Sequence, residues 1–371
     1  MKKIKLGDLL TIKHGYAFKS ENYLKDGNFA LVTLANISES NNFQFDKDKL
    51  TYYGADFPKD VILNEGDLIL PMTEQVIGLL GNSAFVPAVD KFSFVLNQRV
   101  GKVIPKSNVD KYYLHYLLAT KEVKTQLEYR ASGTKQRNIS PDNIYDVTVF
   151  IPDLPLQKKI GAILYSLEQK INLNKKINAT LEAMAKTLYM HEFFRKPPNG
   201  KLGDIVIENS KSIIPVGAAK STDGKFPFFT SGDSVLSWND SLVDGRNIFM
   251  NDGGNAGVKF YVGKAAYSTH TYSISTKENL TDYIYLLLKV IEPELDKRFF
   301  TGTGLKNLRK DLLKERAIYI PTETERERFN AIAQPCFTKI SANVRESRRL
   351  AELRDWLLPM MMNGQITFKE K

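Results

Sequence analysis

The feature that most constrains this chain is an internal duplication. Ser132-Gly133-Thr134 through Leu188 aligns without a gap to Thr301-Gly302-Thr303 through Leu357, at a constant offset of 169 residues. Gly133/Gly302, Asn138/Asn307, Asp142/Asp311, Ile151-Pro152/Ile320-Pro321, Lys170-Ile171/Lys339-Ile340, Asn174/Asn343 and Leu181/Leu350 hold that register. A repeat of this kind implies two copies of one structural unit. Upstream, Lys5-Leu6-Gly7-Asp8 recurs as Lys201-Leu202-Gly203-Asp204 at an offset of 196, so the first copy carries 27 extra residues before the shared segment. The upstream parts have diverged, and the downstream parts have kept their spacing.

Each upstream part reads as an α+β module. Short apolar runs at Phe29–Leu34, Val61–Leu63, Leu68–Leu70 and Phe92–Leu96 are broken by Gly, Asn, Asp and Pro, the pattern of short strands. Ile213–Val216, Phe226–Phe229, Asn247–Met250, Val258–Val262 and Tyr272–Ser275 play the same part in the second copy, and helices are expected at Lys111–Thr120 and Thr281–Val290.

Downstream the period changes to that of a long helix. Ile160, Leu167, Asn174, Leu181 and Leu188 occupy heptad position a, with Ile163, Lys170, Ile177 and Met184 at d and with Leu164 and Ile171 widening the stripe. The second copy places Phe329, Cys336, Asn343, Leu350 and Leu357 at a, and Ile332, Lys339, Glu346, Leu353 and Met360 at d. Pro152 and Pro155 precede the first helix, Pro197-Pro198-Asn199-Gly200 stops it, and Pro335 should kink the second helix or delay its start. Two similar helices with narrow apolar stripes most simply bury those stripes against each other. If the duplication is symmetric in space, they run antiparallel about a pseudo-two-fold axis that brings Asn174 and Asn343 close. The alternative is that the stripe rotates and leaves both Asn exposed.

Composition narrows the function classes. With 52 Lys+Arg against 42 Asp+Glu the net charge is +10, which favours an anionic partner. Cys336 is the only cysteine, so neither a disulfide framework nor a Cys-based zinc site is available, and a reducing compartment is expected. No signal peptide or membrane helix is legible, and we expect a cytoplasmic protein with no cofactor and no metal.

The catalytic signatures that the chain spells do not fit their contexts. Pro152-Asp153 followed by Glu168-Gln169-Lys170 matches the letters of a metal nuclease pattern, but Lys170 lies on the helical stripe and the second copy has Thr322 and Phe337 at the matching positions. Gly257 to Gly263-Lys264 is one residue too long for a phosphate loop and has Ala265 where a hydroxyl must hold magnesium. Lys196-Pro197-Pro198-Asn199 has no aromatic ring to stack on a flipped base, and the four His lack catalytic partners at a telling spacing. What remains is a duplicated binding protein. Small residues join cations at the same place in both halves, around Gly133-Thr134 and around Gly302-Thr303. There, backbone amides can approach a phosphate while Arg130, Lys135 and Arg137, or Lys297, Arg298, Lys306, Arg309 and Lys310, neutralise it.

These residues resemble the specificity (S) subunits of bacterial Type I restriction-modification systems. The resemblance covers essentially the whole chain: Leu6-Gly7-Asp8, Asn64-Glu65-Gly66-Asp67-Leu68-Ile69-Leu70, Gly133-Thr134 to Asn138-Ile139, Ile151 through Ile160 leading into a long helix, then the cycle again, closing on Leu357 through Ile366. The family's Pro-Pro-x-x-Glu-Gln approach to the helix is altered in both copies, to Pro152-Asp153-Leu154-Pro155-Leu156-Gln157 and to Pro321-Thr322-Glu323-Thr324-Glu325-Arg326. The resemblance implies an α+β architecture of two target-recognition domains, residues 1–152 and 197–321, held apart by antiparallel coiled-coil helical spacers, residues 153–196 and 322–371. It also implies a non-catalytic subunit that reads a bipartite double-stranded DNA site and docks methyltransferase (M) subunits, two of them, with restriction (R) subunits possible. A spacer of roughly 35 residues at ~1.5 Å each spans about 50 Å, enough to set two domains on separate stretches of a duplex. Base readers are then expected at Thr73, Glu74, Gln75, Asn97, Gln98 and Arg99, and at Ser231, Asp233, Asn251, Asp252, Asn255, Thr269 and His270. The segments Met72–Val76 and Asn251–Asn255 are paired because they follow Gly66-Asp67 and Gly245-Arg246 at similar distances. A helix-linked adaptor with two protein-binding modules is the alternative, and a nuclease a further one.

Overall fold

The computed structural model describes residues 1–75, 77–133, 136–302 and 306–366. The chain divides into two compact units, Met1–Gln169 with Leu350–Lys371, and Lys170–Arg349. Each unit joins one strand-rich module to segments of two long helices, Leu154–Glu192 and Glu323–Met362. Among the described residues no helix is long and apolar enough to cross a membrane.

The two modules have the same strand pairing. In the first, an antiparallel sheet runs in the order Leu10–His14, Val100–Pro105, Leu68–Pro71, Ala84–Phe85; in the second, Val206–Glu208, Thr271–Thr276, Arg246–Asn251, Val258–Val262. The registers correspond: Leu10 faces Pro105 as Val206 faces Thr276, and Val100 faces Pro71 as Asn251 faces Thr271. A second sheet is built on a parallel pair in both, with Leu96 opposite Val32 and Tyr267 opposite Phe229. The extra residues of the first copy fall mostly in one place. Val32 to Leu68 is seventeen residues longer than Phe229 to Ile248, and the added chain helps to make this sheet five-stranded where its counterpart has three strands.

Within the first unit the helix Lys111–Leu118, capped by Asp110 accepting from the amides of Tyr112 and Tyr113, buries Tyr113, Leu114 and Leu117 against Leu6, Leu9 and Leu10. Ile160 and Leu164 of the first long helix and Met361 and Met362 of the second close that core. Within the second unit the helix Thr281–Val290 packs with Ala185, Tyr189 and Phe193 and with Phe329, Ala333 and Phe337. The long helices are antiparallel in each unit: Arg354 pairs with Glu168 in the first, and in the second Asn174 bonds Glu346 while Arg328 pairs with Glu192.

The helical seam differs from the heptad reading. Positions assigned to d are not the buried ones, for Ile332 is 44% and Leu353 42% exposed, and Met184 and Lys170 also face solvent. Their C-terminal neighbours take the inner face instead: Ala333 and Ala185 are fully buried, as is Leu164, with Ile171 nearly so. Of the assigned a positions, Ile160, Asn174, Phe329, Cys336 and Asn343 are buried, whereas Leu167, Leu181, Leu188, Leu350 and Leu357 are half-buried, and so is Ile177 at d. A helix of 3.6 residues per turn drifts about 20° per heptad, and a seam packed against globular modules has no need of the supercoil that would hold it at 3.5. Asn174 and Asn343 are each 1% exposed but do not bond each other. Asn174 donates to Glu346 Oε2 at 2.8 Å and to Ser347 at 3.2 Å, and Asn343 donates to Asn178 at 2.8 Å.

Three further expectations are corrected. Ile213–Val216 forms no strand, because Pro215 caps the helix Val216–Lys220 and Ile213 points into solvent. Pro155 lies inside the first long helix and does not merely precede it. Pro335 does not delay the second helix, which begins at Glu323.

Candidate nucleic-acid interface

In the first unit three separate segments converge. The Met72 amide donates to the Arg99 carbonyl at 2.9 Å, and the Met72 carbonyl accepts from Ile139 at 3.0 Å. Thr73–Glu74 pairs with Arg137–Asn138, and the Thr73 hydroxyl donates to Asn138 Oδ1 at 2.8 Å. The last segment is the far arm of the Gly133 hairpin, closed by reciprocal Ser132 and Asn138 backbone bonds. Gly133 has φ +113° and a Cβ there would sit 2.1 Å from the Gln136 carbonyl oxygen, so only glycine makes this turn.

The second unit repeats the backbone bonds of this frame. The Asp252 amide donates to the His270 carbonyl at 2.9 Å, the Asp252 carbonyl accepts from Leu308 at 3.1 Å, and Gly254 donates to the Lys306 carbonyl at 2.8 Å. Gly253 bridges Asn307, and Thr301 pairs with Asn307 as Ser132 does with Asn138. Met72 therefore corresponds to Asp252, Arg99 to His270 and Asn138 to Asn307, one residue off the correspondence read from the glycine spacing. Thus the segments singled out in the sequence are brought together in both modules.

The candidate side chains divide by exposure. Gln75, Gln98 and Arg99 face solvent in the first module, and Asp233, Asn255 and His270 in the second; Ser231 and Thr269 are half-buried. Thr73 and Asn97 are buried, the latter accepting from the Arg99 amide. Asn251 is also buried, its amide held by the Asn255 carbonyl. Ser231 donates to the His270 carbonyl, and Asp252 is paired with Lys310 at 2.9 Å.

Glu74 is 1% exposed and cannot face a base. Its Oε2 accepts from the amides of Gly78, Leu79 and Leu80 at 3.0–3.1 Å, and Arg137 Nε lies 3.3 Å from its Oε1. Sequence reading missed this role, since nothing in Thr-Glu-Gln announces a carboxylate that ties its own loop.

The cations are similarly divided. Arg137 also donates to the Glu128 carbonyl, Arg130 to the Gln126 carbonyl, Lys306 pairs with Asp296, and Arg298 with Glu294. The amide of Ala256, then Lys306, holds the Asp296 carboxyl below its usual range. Lys310 lies 4.8 Å from the Tyr272 ring centre, and burial pushes that phenol up. Lys297 and Arg309 are exposed and have no ion-pair partner among the described residues. Lys135 lies outside the described residues. Lys259, which the sequence did not single out, points into this end of the second module and donates to the Thr230 and Gly232 carbonyls; burial lowers its pKa.

The nuclease-like letters of the first copy do not come together. Asp153 accepts from the Leu156 amide at the start of the first long helix, while Glu168 lies fifteen residues along it, about 22 Å away at the helical rise. They cannot share a metal. Among the described residues no group of three His, Cys, Asp or Glu could hold one.

Comparison with known proteins gives this geometry its family. The model described as the Type I restriction modification DNA specificity domain matches residues 1–183 and again 199–337. The Type I restriction enzyme MjaIX specificity subunit of Methanocaldococcus jannaschii is 25% identical over 326 residues, 76% of this chain and 75% of that one. The EcoDI specificity subunit of Escherichia coli is 25% identical over 174 residues, 45% of this chain and 38% of its own. In fold, the crystal structure of a Type I restriction-modification S subunit from M. genitalium superposes with a TM-score of 0.62 at 15% identity, covering 100% of this chain and 96% of that one. With both modules matched, the chain belongs to the Type I restriction-modification DNA specificity family, as a subunit that recognises DNA sequence.

Proposed function

We propose that each module reads one half of a bipartite double-stranded DNA site, residues 1–152 forming one target-recognition domain and 197–321 the other, with 153–196 and 322–371 as helical spacers. The observation that carries this reading is the hydrogen-bond frame built twice at the same place, which presents Gln75, Gln98 and Arg99 in one module and Asp233, Asn255 and His270 in the other. Side chains of this kind discriminate base edges in the major groove. Lys297 and Arg309 are the phosphate contacts that require no internal ion pair to open. Arg137, Lys306 and Lys310 are held by carboxylates, so they set the shape of the interface first and its charge second.

The chain itself catalyses nothing. It docks methyltransferase subunits, two of them if the duplication is a two-fold in space, and restriction subunits join the same assembly in the cytoplasm. Binding to a specific duplex and to unrelated duplexes should both weaken linearly on a log–log plot against salt, with a slope near −0.9 per neutralised phosphate. A salt-independent affinity would instead favour the protein-binding adaptor.

A further inference from the structure

The first module has a loop that the second lacks. Glu74 to Phe85 is five residues longer than the corresponding Gly254 to Phe260, and the added residues lie beside the recognition frame. Three consecutive amides, those of Gly78, Leu79 and Leu80, converge on the buried Glu74 carboxylate. Two cations balance that charge from inside the module, Arg137 at 3.3 Å and Lys124, which donates to the Gly78 carbonyl and to Asn82. Gly78 and Gly81 have φ +105° and +88°, and a Cβ on Gly81 would sit 2.8 Å from the Leu118 carbonyl oxygen. The loop is thus fixed from below. Its tip holds Ile77, 72% exposed, with Gln75 also exposed before it. An aliphatic side chain held out in water contributes nothing to the core, and here the three amides on Glu74 hold it next to Gln75 at the edge of the recognition frame.

Resting on the reading of this face as the DNA interface, we propose that Ile77 is a specificity-determining residue of the first half-site. Its side chain contacts the 5-methyl group of a thymine in the major groove, and Glu74 is the positioning residue that holds the loop for it. Thymine is the only base that offers an apolar group there, and apolar side chains read it by contact. The second module has Gly253-Gly254-Asn255 in place of this loop and no equivalent of Ile77 at this position of the frame.

The test removes the methyl group from the DNA. The full chain, co-expressed with its methyltransferase subunit, is measured against its selected site with each thymine of each half replaced in turn by deoxyuracil. One thymine in the first half-site should lose about three- to five-fold in affinity on losing its methyl, the effect of burying one such group, and no thymine in the second half-site should do so through this loop. With Ile77→Ala the affinity falls by a similar factor and that position becomes indifferent to the methyl, whereas Ile77→Val retains part of the sensitivity. Ile213→Ala, which removes an exposed aliphatic side chain from the other module, leaves the sensitivity unchanged. If no first-half thymine responds to methyl removal, or if Ile77→Ala weakens binding while the same thymine still responds, the assignment of Ile77 is wrong. An unmodified complex with no sequence preference at all would overturn the DNA-reading proposal itself, before Ile77 is at issue.

Discussion

Removing Arg354 should unlock the pairing of the two long helices in the first unit. Arg354 meets Glu168 there, with side chains only 16% and 7% exposed, and Glu168 Oε1 has no hydrogen-bond partner. Their attraction is about 4 kcal/mol at an effective dielectric near 20, and each partner has been taken out of water to make it. Arg354→Met keeps the stem that packs and removes the charge, leaving a buried carboxylate alone. Breaking such a pair from one side costs about 3–5 kcal/mol, which for a unit of this size is a fall of roughly 6–20 °C in its melting temperature. Replacing both partners, Glu168→Leu with Arg354→Met, should recover most of that loss, since no charge is stranded. Because the chain has two units, the measurement is hydrogen exchange followed peptide by peptide alongside the thermal scan. Faster exchange is expected in 154–169 and 350–362 and in the core they close, with the helix Thr281–Val290 unchanged. A single variant within 1 kcal/mol of the parent, or a double variant as unstable as the single one, would refute the reasoning.

Three further outcomes follow. Burial pushes the Asp282 carboxyl up to about 6 against the opposing pull of Arg246. The folded state therefore binds this proton more tightly than the unfolded state, and stability should decline by up to about 3 kcal/mol as pH rises from 4 to 6 and level off above; Asp282→Asn should flatten that decline in urea titrations at fixed pH. Lys297→Ala and Arg309→Ala should each weaken binding to all duplexes alike and reduce the salt slope by about one, whereas a changed sequence preference would make them base readers. The fragment 1–196 lacks Met361 and Met362, which close the first core, so it is expected to dimerise through the exposed faces of Ile160, Leu164 and Ile171 and, with its methyltransferase partner, to read a palindrome of the first half-site. A well-folded monomer from sedimentation would contradict the two-fold relation.

The architecture was legible because duplication and period are properties of sequence alone. The gapless 169-residue register located both long helices, and Thr281–Val290 emerged with the expected bounds because its apolar pattern and its packing agree. Ile213–Val216 misled because an apolar run before a proline looks the same whether the chain goes on into a strand or into a short helix. The inner face of the long helices was misplaced by one position at d, since 3.5 and 3.6 residues per turn diverge over five heptads and only the packing surface decides between them. In the interface the sequence located the right segments but not which side chains face outward. Thr73, Gln75 and Asn97 are all polar; Thr73 is buried in its pairing with Asn138 and Asn97 in its bridge to Tyr16, while Gln75 lies outside both pairings and is exposed.

The central claim is that one chain reads two separated half-sites through two copies of one frame. Selection of the bound fraction from a random duplex library, using the full chain with its methyltransferase subunit, tests it directly. The expected result is two short conserved blocks separated by a spacer of fixed length and free sequence, with Gln98→Ala altering one block and His270→Ala the other. A single contiguous block, a variable spacer, or both substitutions altering the same block would contradict it.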